Sequence, residues 1–148
     1  MRVTLLRDPE LSRDAAAAVR DAGLGPLLRR CGDALDVPAR AGLGVRLTTD
    51  AELRRLNRDF RGVDAPTDVL AFPGEDRGYV GDVAISVDRA LAQAPGTPYA
   101  ELRLLAVHGL LHCLGHDHAD PAEAATMTEL TRRLLPDQEI APLTTGEH

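Results

Sequence analysis

The segment from Leu102 to His118 constrains the fold more than any other part of this sequence. It reads LRLLAVHGLLHCLGHDH, an apolar run that ends in four of the five histidines of the chain. On a helix, His108 and His112 lie about 40° apart in rotation and about 6 Å apart in rise, so they share one face. Gly115 can adopt the left-handed conformation that ends a helix, which lets the chain double back and present His118. The sequence therefore predicts a long apolar helix with three imidazoles converging at its end.

Three converging imidazoles are typical of a metal centre. A histidine pair at this spacing is, by itself, more often a surface or core pair, and the glycine and the third histidine are what favour metal ligation. Three protein ligands and one open position describe a catalytic zinc site rather than a closed structural one, although imidazole suits several divalent metals. Cys113 is about 100° around the helix from His112 and is not expected to be a ligand. His116 is expected to point elsewhere, either toward a substrate or into solvent.

The rest of the chain predicts a single domain, residues 1–148, of the α/β (α+β) class. At 148 residues and 15.9 kDa the chain can bury a sizeable core without disulfides. Glycines, prolines and hydrophobic periodicity mark short elements, which predict a small mixed sheet of about four strands packed with helices. The expected strands are 3–6, 45–48, 68–72 and 80–86, and the expected helices are 11–22, 26–37, 50–60, 88–93, 97–115 and 121–135.

Composition narrows the class of protein. Hydrophobic residues make up 44% and charged residues 27% of the chain, which argues against a mainly disordered protein. No apolar run approaches the roughly 18 residues of a membrane span, and the first residues lack the apolar core of a signal peptide. We therefore expect a cytoplasmic protein with no membrane partner. Cys31 and Cys113 are too few for a disulfide framework and are expected to be small thiols packed in helices.

Charge is distributed unevenly along the chain. The net charge of −6 argues against a polyanionic partner, but the segment LRRLNRDFRG, residues 53–62, carries four arginines and one aspartate. Residues 117–148, by contrast, carry seven carboxylates and two arginines. Arg61 is the last arginine of this basic segment and precedes a proline-restrained turn, where its guanidinium could hold a phosphate. An exposed arginine at a helix end is, on its own, usually just solvated.

The spacing HxxxHxxGxxH also matches the zinc-binding helix of the metzincin proteases, whose pattern is HExxHxxGxxH. One residue differs, because the glutamate that serves those enzymes as general base is here Gly109. Loss of that carboxylate removes a factor of roughly 10²–10⁴ in rate. A phosphodiester substrate needs the base less, because zinc can lower the pKa of a bound water to about 7 and neutralise a phosphate oxygen. The motif predicts a metzincin-like zinc helix but disfavours peptidase activity.

Three segments together resemble the YbeY family of bacterial rRNA maturation factors: the histidine motif, LNRDFRGVDAPTDVLAFP and VGDVAIS. The similarity is close from about residue 45 to residue 118 and continues more loosely through MTELTRRLL. Two positions depart from the family pattern. Val63 stands where lysine is frequent, which removes a phosphate contact, and His116 stands where tyrosine or phenylalanine is common, which alters the rim of the metal pocket.

The resemblance implies a zinc-dependent endoribonuclease, specific for single-stranded RNA, that acts in 16S rRNA 3′-end maturation and ribosome quality control. His108, His112 and His118 match the three zinc ligands of the family, and Arg61 matches the arginine that the family uses for RNA processing. One Zn²⁺ per chain is expected. The implied partners are the 16S rRNA precursor, the small ribosomal subunit, a ribosomal protein and an assembly GTPase.

Three aspartates are further candidates on the residues alone. Asp68 could orient a ligand histidine through its second ring nitrogen or cap a turn, and Asp82 could do likewise with less support. Asp117, between two histidines, is expected to be a turn residue rather than a base.

These observations favour a small metallohydrolase in which a bound water or hydroxide attacks RNA phosphorus while Arg61 and nearby arginines position the backbone. Water and the RNA 2′-hydroxyl both remain candidate nucleophiles. Two alternatives stay open. One is a metalloendopeptidase-like hydrolase, and the other is a non-enzymatic ribosome assembly factor in which a structural zinc orders the last helices.

Overall fold

The computed structural model describes residues 1–76 and 78–146, and it contains four strands and six helices over these ranges. The strands are β1 (Arg2–Arg7), β2 (Gly42–Thr48), β3 (Val69–Pro73) and β4 (Tyr79–Ser86). The helices are α1 (Arg13–Ala22), α2 (Leu24–Ala34), α3 (Asp50–Arg61), α4 (Val87–Gln93), α5 (Pro98–Cys113) and α6 (Pro121–Leu134). The predicted α+β class with a small mixed sheet is confirmed.

The sheet has the strand order β1-β2-β4-β3. Strands β1, β2 and β4 are parallel, and β3 pairs antiparallel with β4, so the expected pairing of the third and fourth strands is confirmed. Strand β3 therefore forms one edge of the sheet. Because side chains alternate between faces, the strand register assigns each residue to one of two rows.

We call the two faces of the sheet inner and outer. The inner face carries a buried or half-buried apolar row, Leu5, Val45, Val83 and Ala71. The outer face carries a more polar and more exposed row, Thr4, Gly44, Asp82 and Phe72. Leu5, Val45 and Val83 of the inner row join the main hydrophobic core, to which α1, α2 and α5 also contribute.

Helix α5 is the centre of this core. It contacts α1, α2, α4 and α6 as well as β3 and β4. Its buried residues fall on every side of the helix, as expected of a helix that is apolar all round. It lies close against the sheet at Gly109, where an added Cβ would be 2.5 Å from Cγ1 of Val83. A side chain at position 109 would push the helix away from β4.

Helix α3 packs on the outer face of the sheet. Leu53 and Leu56 contact Leu70 and Ala84 in a small second core, which covers only the end of the sheet near β3 and β4. The predicted capping residue is confirmed, because the Thr49 hydroxyl accepts a hydrogen bond from the Glu52 amide at 3.3 Å.

The first two helices begin and end differently from expectation. Helix α1 begins at Arg13, because the Ser12 side chain accepts from the Ala15 amide and caps the helix. Gly23, in the left-handed conformation at φ 59°, alone separates the two helices, so Gly25 and Pro26 lie inside the first turn of α2. A proline costs little there, because its missing amide would have had no partner within the helix.

The end of helix α2 is also corrected. The helix ends at Ala34 rather than near residue 37, because Asp36 adopts a positive φ of 58° and the Val37 amide turns back to the Gly32 carbonyl. Among the described residues, the structure contains no helix long and apolar enough to cross a membrane.

We predict that Gly109→Ala lowers the free energy of unfolding. Overpacking against Val83 costs about 1–3 kcal/mol and outweighs the roughly 1 kcal/mol that alanine gains in helix propensity. The measurement is urea unfolding of the wild type, the single variants and the double variant Gly109→Ala/Val83→Ala. In the Val83→Ala background, Gly109→Ala should leave the free energy of unfolding unchanged or raise it, since the clash with the valine methyl groups is gone.

Gly96→Ala is the matched control, because an added Cβ at Gly96 meets nothing within 4 Å. We expect Gly96→Ala to unfold like the wild type. If Gly109→Ala were also as stable as the wild type, the inference that α5 packs closely on β4 would be contradicted.

Candidate metal centre

Helix α5 places two histidines side by side at its C-terminal end. His108 and His112 are one helical turn apart, with ring centroids 4.7 Å apart. Their Nε2 atoms approach to 3.1 Å. Two nitrogens on one tetrahedral zinc, at 2.0–2.1 Å each, lie about 3.4 Å apart. The helix alone therefore brings two ligand atoms close to the separation that a metal requires.

The turn after α5 brings in the third histidine. Gly115 has a φ of 95°, and its amide donates to the His112 carbonyl at 3.0 Å, while the next amide, of His116, donates to the Leu111 carbonyl at 2.9 Å. These bonds satisfy carbonyls of the last helical turn and reverse the chain. The His118 ring consequently lies 5.5 Å from the His108 ring and 5.6 Å from the His112 ring.

A backbone contact sets the orientation of His118. Its Nδ1 lies 2.8 Å from the Thr144 carbonyl oxygen, and the Gly146 amide donates to the His118 carbonyl at 3.0 Å. Since a carbonyl only accepts, Nδ1 must carry the proton, and the lone pair of the neutral ring is on Nε2. Such a hydrogen bond on the distal nitrogen is the usual support of a metal-binding histidine. The sequence offers no signal for it, because the acceptor is main chain.

The three rings together are suited to a metal ion. One ligand nitrogen from each lies within 4.8 Å of the other two, His108 and His118 are buried, and His112 is half-buried. Three neutral imidazoles form a set of nitrogen donors that zinc and other divalent transition metals accept. This cluster could therefore hold a metal ion.

Arg61 lies beside two of these histidines. It is exposed at the end of α3, which Gly62 terminates with a φ of 71°. A small cavity of about 150 Å³ is lined by Arg61, His108, Gly109, His112 and residues 69–71 and 73 of β3. The predicted arginine and two predicted ligands thus face one pocket.

The other arginines of α3 are engaged with carboxylates. Arg54 pairs with Asp64 at 2.8 Å, Arg55 pairs with Glu52 and Asp59, and Arg58 pairs with Asp59 at 3.1 Å. Within residues 1–76 and 78–146, no carboxylate lies within ion-pair distance of Arg61. The basic segment seen in the sequence is therefore largely neutralised, and Arg61 is the member of α3 whose guanidinium remains available.

Two neighbours of the ligands lie outside the cluster. Cys113 is at the end of α5, and burial raises the pKa of its thiol to about 12, so it is protonated at neutral pH. His116 lines a separate cavity of about 230 Å³ with Asp117 and Glu123. The Asp117 carboxylate accepts from the His118 amide at 2.7 Å, which fits the predicted role in a turn.

The two candidate orienting aspartates lie on different sides of the sheet. Asp68 lines a cavity of about 310 Å³ together with His108, His118 and Glu101, and burial raises the pKa of Glu101 there. The role of Asp68 as an orienting carboxylate stays a prediction. The Asp82 side chain belongs to the outer row and accepts from the Tyr79 hydroxyl, so it does not face the histidines.

The residue at the metzincin glutamate position is structurally constrained. Gly109 lines the pocket together with His108 and His112. The position that its Cβ would take is occupied by the side chain of Val83. A carboxylate cannot replace this glycine without displacing α5 from β4. The packing of the helix thus explains why the peptidase base is absent.

Comparison with known proteins matches the chain to one family. The family model described as Endoribonuclease YbeY matches residues 19–139. A Chloroflexus aggregans protein named Endoribonuclease YbeY is 46% identical over 140 residues, covering 84% of this chain and 88% of its own length. The protein of the same name from Chloroflexus aurantiacus is 48% identical over 136 residues, covering 81% and 80% of the two chains.

One solved structure has a similar fold. The solution structure of TM1509 from Thermotoga maritima aligns with a TM-score of 0.57 and 20% identity, covering 91% of this chain and 90% of that one. At this identity the similarity concerns the fold alone.

We predict that His112→Ala removes metal binding. Elemental analysis of metal-stripped protein reloaded with one equivalent of zinc should find about one ion per wild-type chain and a small fraction of that in the variant. Zinc should also raise the melting temperature of the wild type, because a ligand at 100 times its Kd stabilises by about 2.7 kcal/mol. His116→Ala, whose ring lies in the separate cavity, is the control and should load normally. Full zinc content in His112→Ala would contradict the proposed ligand set.

Proposed function

The chain belongs to the YbeY endoribonuclease family, and on that basis we propose that it cleaves single-stranded RNA with a divalent metal, zinc, held by His108, His112 and His118. We further propose that its substrate is the 16S rRNA precursor and that it serves 3′-end maturation and ribosome quality control. The single observation that carries the proposal is the shared pocket, in which Arg61 faces two rings of a three-histidine cluster.

The histidines would hold the ion with their side-chain nitrogens, and the surrounding structure fixes their positions. His108 and His112 are held by a helix that is buried on all sides, and His118 by the Thr144 carbonyl. A divalent ion there would act as a Lewis acid beside the phosphate and lower the pKa of a water molecule. Because the rings are pre-positioned, little reorganisation is needed during the reaction.

Arg61 would hold the scissile phosphodiester. Its planar guanidinium can donate two parallel hydrogen bonds to phosphate oxygens. Because Arg61 and two of the histidines line one small pocket of about 150 Å³, we place the phosphate in this pocket and the bases outside it. Arg61 would also stabilise the negative charge that accumulates on the phosphate oxygens as the bond breaks.

Because the chain has a net charge of −6, RNA would bind only at a small part of its surface. Since three of the four α3 arginines are paired with carboxylates, the attraction for phosphate is concentrated at Arg61 and at the metal. A short contact with few phosphates predicts a shallow dependence of affinity on salt. The small ribosomal subunit, a ribosomal protein and an assembly GTPase remain proposed partners, and the proposed location is the cytoplasm.

We predict that removing the metal abolishes RNA cleavage. Treatment with EDTA should reduce cleavage of a fluorescent single-stranded RNA to background, and zinc should restore it. A duplex of the same sequence should be cut much more slowly if the enzyme selects single strands. A casein digest run in parallel tests the peptidase alternative.

Two other results would contradict the proposed metal-dependent cleavage. Purified protein that retains ribosome binding but cuts no RNA with any divalent metal would support the assembly factor instead. Cleavage that survives both EDTA and His112→Ala would overturn the metal mechanism.

We predict that Arg61→Glu abolishes cleavage while leaving metal content unchanged. Loss of one donor to the developing charge costs about 10²–10³ in kcat. Arg58→Glu is the matched control: it makes the same change of charge on the same helix, but Arg58 is already paired with Asp59 at 3.1 Å. The measurement is the initial rate on single-stranded RNA together with zinc content. Equal losses in the two variants would indicate general electrostatic repulsion rather than a specific role for Arg61.

A further inference from the structure

The outer face of the sheet contains a large groove that no part of the mechanism uses. Its volume is about 650 Å³, within the 300–1,000 Å³ of typical small-ligand sites. The side chains that define it are Leu6, Arg46, Phe60, Phe72, Tyr79 and Asp82. Helix α3 covers only the end of this face at Leu70 and Ala84, so the groove is open.

Aromatic residues are concentrated in this groove. The chain has only four Phe, Tyr and Trp residues, and three of them, Phe60, Phe72 and Tyr79, line it. Phe72 packs against the small second core, but Phe60 and Tyr79 do not serve a core, since Phe60 is 67% exposed and Tyr79 is 38% exposed. Phe60 is held edge-to-face on Phe72 with ring centroids 5.6 Å apart. An aromatic ring that is held in place and also exposed is suited to stacking against another planar ring.

The groove and the pocket at Arg61 are separate cavities on the two sides of β3, and they are lined by neighbouring residues of the chain. Phe60 and Arg61 are consecutive residues at the end of α3, and Phe60 lines the groove while Arg61 lines the pocket. On β3 the side chains alternate in the same way, with Phe72 in the groove and Ala71 and Pro73 in the pocket. Because β3 is an edge strand, a flexible chain can pass around it from one site to the other.

The chemistry of the groove favours a base over a phosphate. Its walls are mainly apolar, and its arginine, Arg46, pairs with Glu52 at 3.7 Å. Its floor carries the Asp82 carboxylate, which accepts a hydrogen bond from the Tyr79 hydroxyl. A carboxylate repels phosphate but accepts from the amino groups of nucleobases. Gly44 makes room for this pair, since an added Cβ would meet the Asp82 Oδ1 and lie 3.3 Å from the Tyr79 hydroxyl.

We propose that the groove is a nucleobase subsite, in which an unpaired base adjacent to the scissile phosphate stacks on Phe60. This subsite rests on the proposed function and deepens it, because it would explain why the RNA substrate has to be single-stranded. Arg61 holds the phosphate on one side of β3, and the neighbouring base turns around the strand edge onto Phe60. A base that is paired in a duplex cannot do so without leaving its stack.

The test is binding of a short fluorescein-labelled single-stranded RNA to metal-stripped protein, followed by anisotropy so that no cleavage occurs. Base stacking on an aromatic residue is worth roughly 5- to 150-fold in affinity. Phe60→Ala should weaken binding by a factor in this range, and Phe60→Tyr should restore it. Phe60→Leu keeps the apolar bulk without the aromatic face and should remain weak. Tyr99→Ala is the control, since Tyr99 is 44% exposed and lies outside the groove.

A second arm changes the RNA instead of the protein. Abasic sites are placed one at a time on either side of the cleavage position, and one of them should weaken binding to the wild type but not to Phe60→Ala. Unchanged binding of Phe60→Ala or Phe60→Leu, or no abasic position coupled to Phe60, would overturn the subsite. If the wild type cuts RNA while these arms show no effect, only the subsite fails. If the wild type neither binds nor cuts RNA, the proposed function fails with it.

Discussion

The close approach of helix α5 to strand β4 determines where everything else in the site lies. The absence of a side chain at Gly109 lets Val83 fill the space beside the helix, and this contact fixes both the depth and the rotation of α5. His108 and His112 flank Gly109 and therefore emerge toward β3 rather than into the core. Their convergence follows from the way the helix packs.

The same contact limits the chemistry that the site can perform. A peptidase of the metzincin type needs a carboxylate at the position where this fold requires glycine, so the geometry that aligns two ligands also excludes the base. Amide hydrolysis suffers from that loss because its leaving group must be protonated and its nucleophile activated. A phosphodiester presents charge that a metal and Arg61 can stabilise directly. Packing, rather than the metal ligands alone, thus distinguishes the two reactions.

The sequence predicts local features well and long-range contacts poorly. The α5 histidines, the turn at Gly115 and the Thr49 cap follow from spacing and from short-range hydrogen bonding, and the structure confirms their geometry. The contact of Thr144 with His118 spans 26 residues and uses a main-chain carbonyl, so no residue pattern could indicate it. Asp82 was a candidate partner of a histidine, but strand register places it on the outer face.

The distribution of charge follows from the same geometry. Ion pairs along α3 remove most of the attraction that its arginines would exert on RNA, and the acidic C-terminal region adds repulsion. A nonspecific polyanion therefore gains little from this surface. In the proposed mechanism an RNA strand would gain affinity where one phosphate reaches Arg61. A base beside it would gain further free energy in the aromatic groove, and this contribution is independent of charge. Under the proposed function, selection for an unpaired strand would arise because electrostatic attraction alone is too weak to hold RNA here.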